Sequence, residues 1–85
     1  MFKHLWVTNA DWNDYSGCET VMSTTTGGFD YTAAHRPTGN NACLVCLGND
    51  SEILQFHLDQ SQGLYVRCKG DRNADFTEWL HLITP

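Results

Sequence analysis

Apolar and polar residues alternate in short stretches along this chain, and turn-forming residues separate the stretches. Residues 3–8 place His4, Trp6 and Thr8 on one side and Lys3, Leu5 and Val7 on the other, the two-residue period of a strand. Asn9 can cap a short helical turn over 10–16, ended by Gly17, in which Trp12 and Tyr15 share a face. Residues 20–25 are rich in β-branched types and predict a second strand, broken by Gly27-Gly28. Residues 29–36 alternate again, with Phe29, Tyr31, Ala33 and His35 on one side, before the turn signal Pro37-Thr38-Gly39-Asn40-Asn41.

Three strands are then predicted in quick succession. Residues 42–47 form a continuous apolar run of strand length. Residues 52–58 carry Leu54, Phe56 and Leu58 on one face and Ile53, Gln55 and His57 on the other. Residues 64–69 alternate, Leu64, Val66 and Cys68 against Tyr65, Arg67 and Lys69. Loops of four or five residues cannot make parallel crossovers, so these strands predict an antiparallel meander. The usual rule places the aliphatic set inward and leaves Gln55, His57, Tyr65, Arg67 and Lys69 on an exposed face. Near the C-terminus, Asp75 and Glu78 have capping-box spacing. Phe76, Trp79, Leu80 and Ile83 recur at i, i+3, i+4 and i+7, which predicts a helix; the competing reading is a final strand over 76–83. The expected fold class is therefore α+β: a small antiparallel meander or half-open barrel covered by a short C-terminal helix, with an all-β small barrel as the alternative.

Composition narrows this to one small globular domain spanning 1–85. Hydrophobic residues are 41% and charged residues 18% of 85 positions, too apolar for a disordered chain and too short for a second core. Ten acidic against five basic side chains give a net charge of −5, opposite to the sign that neutralises phosphates. Nucleic acid and anionic membranes are disfavoured as partners, and another protein, one with a basic surface, is favoured. No apolar stretch of signal length follows the first residues, and the longest apolar run, 42–47, is far short of a membrane span. A cytoplasmic protein with reduced thiols is the expectation.

The candidate chemistry is sparse. Cys43-Leu44-Val45-Cys46 is a single CxxC without a second pair, and residues three apart on a strand point to opposite faces. No cofactor is expected; a zinc site would have to gather Cys43, Cys46, Cys18, Cys68 and His35. His57 and Asp59 fall on one side of a strand end, where an imidazole–carboxylate pair can form; a nucleophile would have to come from elsewhere, Cys18 or Ser61, and nothing in the sequence fixes its approach. Thr24-Thr25-Thr26-Gly27-Gly28 lacks the Gly-Lys-Ser/Thr end of a phosphate loop.

These residues predict a non-enzymatic protein-binding module that acts stoichiometrically, as an inhibitor, immunity protein or adaptor. Inhibitors encoded by phages and mobile elements are often of this size, an analogy that suggests such an origin. The expected contact residues are Tyr65, Arg67, His57, Lys69 and Gln55 on the sheet, with Trp12, Asp11 and Asp14 as a second patch. The alternatives are a single-strand nucleic-acid binder using the same face and a zinc- or thiol-dependent protein using the CxxC. The chain is expected to be a monomer or a homodimer joined through an edge strand.

Overall fold

A computed structural model of the protein describes residues 2–85. Six strands form one open sheet in sequence order: β1 Lys3–Thr8, β2 Glu19–Thr24, β3 Ala42–Gly48, β4 Ile53–Asp59, β5 Gly63–Lys69 and β6 Leu80–Ile83. β1 and β2 are parallel, and every later pair is antiparallel. The expected meander is present as β3–β4–β5, and the first five strands lie within two residues of where the alternation puts them.

The sheet has one covered face and one open face. Three connections cover it: residues 9–18, 25–41 and 70–79. The first carries a short 3-10 helix, Trp12–Asp14, whose N-terminus is capped by Asp11. The connections are tied to one another. The Trp12 amide donates to the Ala34 carbonyl at 3.0 Å, and Trp79 Nε1 donates to the His35 carbonyl at 3.0 Å. Beneath them lies a small core of Trp12, Val21, Ala42, Leu44, Cys46 and Ile53, with Tyr15, Phe76 and Trp79 packed against it.

The opposite face follows from register. One row across the strands reads Trp6, Met22, Cys43, Leu58, Leu64, and the next reads His4, Thr20, Val45, Phe56, Val66, Leu80. Among the described residues no element packs on these rows. Trp6 is 77% exposed, Leu80 60% and Leu58 55%.

Four expectations are corrected. The C-terminal helix is absent: Leu80–Ile83 is strand β6, paired with β5, so the fold is all-β. An unpaired edge strand presents a row of N–H and C=O groups, and β5 recruits the chain end to satisfy them. The Thr77 amide already donates to the Cys68 carbonyl at 2.8 Å, and Phe76 and Trp79 lie over the Arg67 guanidinium at 3.8 and 4.6 Å. Those contacts outweigh a helical propensity of a few tenths of a kcal/mol per residue. Neither barrel is formed, because β1 and β6 remain opposite edges of an open sheet. Residues 29–36 are turns rather than a strand, with the Asp30 carboxylate accepting from the amides of Thr32 and Ala33. The inward and outward faces of β4 and β5 are exchanged, as described below.

Gly63 opens β5 at φ +101°, beneath the arriving β6 strand. A Cβ there would collide with the Ile83 carbonyl oxygen. Gly63→Ala should therefore lower stability by about 2 kcal/mol or more, through backbone strain and loss of β6 pairing. Urea denaturation checks this; an unchanged midpoint contradicts the stated role of β6.

Candidate functional site

The covered face is polar where it meets the connections. Gln55 and His57 are completely buried on β4, Asp59 is nearly so, and Arg67 on β5 is 5% exposed. Gln55 sits in the middle of this network. Its Nε2 donates to the carbonyls of Trp12 and Tyr15 at 2.8 and 3.0 Å, and its Oε1 accepts from Arg67 Nε at 2.7 Å. Arg67 Nη2 reaches Asn13 Oδ1 at 2.8 Å. Arg36 does the same work from the connection side: it donates to Ser23 Oγ at 2.7 Å and to the Ala10 and Asn40 carbonyls at 3.3 and 2.7 Å. Its guanidinium lies 4.3 Å from the Trp12 ring centre. Arg36 Nε is the one buried side-chain polar atom without a partner among the described residues.

His57 and Asp59 are brought together, Nε2 to Oδ2 at 3.2 Å. Trp12 Nε1–H donates to His57 Nδ1 at 2.9 Å, so Nδ1 accepts and Nε2 carries the proton toward Asp59. Thr38 Oγ1 donates to the same Asp59 oxygen at 2.5 Å, and the amides of Ser61 and Gln62 donate to the other at 2.9 and 2.6 Å. Burial pushes the His57 imidazole down to about 4, against a smaller opposing pull from Asp59. Burial alone would raise the Asp59 carboxyl, but the bonds from Thr38, Gln62 and His57 outweigh it and hold the carboxyl below its ordinary value. Both ring nitrogens are engaged and the imidazole meets no solvent. The pair thus ties the end of β4 to the connections.

The expected contact residues are therefore placed differently from the sequence expectation. Gln55, His57 and Arg67 are interior, and so is Trp12, the anchor of the covering segment. Tyr65 is half-buried, stacked on His81 at 4.1 Å. Lys69 is half-buried, with its ammonium 5.7 Å from the Phe76 ring centre. Asp11 accepts from the Asn13 amide at 2.9 Å and meets His35 Nδ1 at 2.9 Å; Asp14 is exposed. Arg67, Lys69, His35 and Asp75 line a shallow cleft of about 370 Å³.

The cysteines do not converge. Cys43 is on the open face, Cys46 is buried on the covered face, and Cys18 and Cys68 are exposed. Burial raises the Cys43 thiol and pushes Cys46 up to about 11, which keeps both protonated at neutral pH. Among the described residues no three His, Cys, Asp or Glu side chains are grouped to hold a metal ion.

The residues missed by sequence reasoning are those of the open face: Trp6, Met22, Phe56, Leu58, Val66 and Leu80. None of the chain's charged side chains stands on its rows. A signal was present in the long connections 9–18 and 25–41, whose buried carbonyls need donors that Gln55 and Arg36 can supply and leucines cannot. Among the described residues no helix is long and apolar enough to cross a membrane. No protein-family model, curated protein or solved structure matches the chain.

The buried imidazole sets an acid limit. Its folded value near 4 lies below the ordinary 6.5, so between those limits the unfolded chain takes up a proton that the folded chain refuses. Stability is full above roughly pH 6.5 and falls as pH drops toward 4, by about 3 kcal/mol for this group. The depressed Asp59 carboxyl adds a loss of the same sign at lower pH. Urea titrations across this range check it, and constant stability from pH 7 to 4.5 contradicts it. Trp12→Phe, which strips His57 Nδ1 of its donor, should cost about 1–3 kcal/mol at neutral pH in the same assay.

Proposed function

We propose that the protein binds a protein partner stoichiometrically and without catalysis, and that the contact is made by the open aliphatic face of the sheet. The observation that carries this reading is an apolar surface that runs from Leu80 on β6 through β5, β4 and β3 to Met22 and Trp6, with polar His4, Thr8, Thr20 and Thr24 at its β1–β2 end and, among the described residues, nothing packed on it. A small monomer rarely leaves so large an apolar patch in water unless something binds there. Leu58 sits on the central strand β4, a position normally covered, yet it is more than half exposed.

The inhibitor, immunity-protein or adaptor role keeps its support from small size, but its surface moves. The face first expected to dock, with Gln55, His57 and Arg67, is occupied by the chain's own connections. The acidity also plays a different part. The acidic side chains lie off the open rows, so a basic partner surface gains nothing from this face. The nucleic-acid alternative needs cations beside stacked rings. On these rows the aromatic rings of Trp6 and Phe56 have no lysine or arginine beside them. The thiol and zinc alternative needs convergent sulfurs, and Cys43 and Cys46 stand on opposite sides of β3.

The test is capture of partner from a lysate of the source organism, with bound protein identified by mass spectrometry. Wild type should retain its partner at a fixed ratio. Leu58→Glu and Trp6→Ala, both at exposed positions and checked for folding by circular dichroism, should each weaken binding by about 2 kcal/mol or more. Asp14→Asn, on the other side, should leave binding intact. Equal retention by wild type and Leu58→Glu contradicts the assignment of the face.

A further inference from the structure

We infer that the open face is covered by a second copy of this chain, the two sheets packing face to face as a sandwich. The inference rests on the reading of this face as a protein-binding surface and names its occupant.

Area is the first argument. Five inter-strand spacings of about 4.8 Å and strands of six or seven residues at about 3.3 Å, with four residues in β6, give a face on the order of 24 by 20 Å that narrows at the β6 edge. Allowing for side-chain relief, pairing two such faces removes on the order of 1,000–1,400 Å² from water, which meets the lower range of specific interfaces. Two copies present patches of equal size, so neither overhangs the other. A two-fold axis between them makes the contact closed and self-complementary.

Charge is the second. A chain of net charge −5 repels its copy, and a dimer forms most readily where no carboxylate is driven against another. The open rows meet that condition, since every Asp and Glu lies on the covered face, in the connections or at the margins. The same absence of charge gives a charged partner no electrostatic address.

Layering is the third. Each sheet already has its other face covered, so stacking two gives connections, sheet, sheet, connections, with side chains of both inner faces filling a gap of about 10 Å. Leu58 and Val66 near the middle, with Trp6 and Leu80 toward the edges, supply that filling.

Cys43 is a native reporter, because it stands on the open face of the central strand β3 beside Met22 and Leu58. The experiment combines sedimentation equilibrium with thiol labelling of the full chain, the label at Cys43 being read by peptide mass spectrometry. Wild type should sediment at twice its 9.6 kDa chain mass, with Cys43 protected, and added salt should not dissociate it. Leu58→Glu should weaken association by at least about 100-fold and expose Cys43 to label, because a buried unpaired carboxylate opposes the contact. Met22→Glu, on the neighbouring strand, serves the same purpose should Leu58→Glu fail to fold. A monomer at all concentrations with reactive Cys43 overturns the inference, and the capture experiment then decides separately whether the face binds another protein. A dimer that keeps Cys43 reactive and survives Leu58→Glu also overturns it, in favour of pairing through β1 or β6.

Discussion

Loops, not helices, cover this sheet, and that constraint organises the rest. A helix satisfies its own backbone, whereas a loop laid on a sheet brings unpaired carbonyl and amide groups into a dry interface. Some of the strand side chains beneath must then be polar, beside the apolar core of Val21, Leu44 and Ile53. Gln55 bridges the Trp12 and Tyr15 carbonyls to Arg67, and Arg36 gathers the Ala10 and Asn40 carbonyls. Aromatic rings complete the seal, with Trp12 against Arg36 and Phe76 and Trp79 against Arg67. Burial lowers both guanidinium groups to about 10, so each remains charged at neutral pH and keeps its attraction for the rings.

That constraint inverts the ordinary alternation. On β4 the polar members Gln55, His57 and Asp59 face the interior, and Leu54, Phe56 and Leu58 are left with solvent on one side. The inversion bears on the proposed function: the residues that pair the connections to the sheet are spent inside, and the apolar rows are left for the proposed contact. The proposed second copy would give those rows the environment their composition suits, without disturbing the polar network on the far side.

The sequence made the strands legible and left their orientation obscure. Alternation over Lys3–Thr8 and Gly63–Lys69, and the turn residues between β3, β4 and β5, located the meander because strand period and turn chemistry are local properties. Which face turns inward depends on what lies across it, and residues 9–18 and 25–41 are far in sequence from the strands they cover. Hydrophobicity placed Leu58 inside; the Trp12 indole bonded to His57 shows the reverse. The terminal segment failed for a similar reason. Phe76 and Trp79 have helical spacing, but both rings are held on Arg67, and the open edge of β5 draws Leu80–Ile83 into the sheet. In the CxxC, strand geometry alone was enough, since Cys43 and Cys46 point to opposite sides as residues three apart on a strand must.

The polar side of β4 is its interior side, and the His57 ring reports this directly. A titration followed by nuclear magnetic resonance of the imidazole nitrogens gives both its protonation state and its tautomer. The account predicts a neutral ring with the proton on Nε2 that begins to titrate only near pH 4. A ring that titrates near 6.5, with Nδ1 free of the Trp12 indole, would place His57 in solvent and contradict the account.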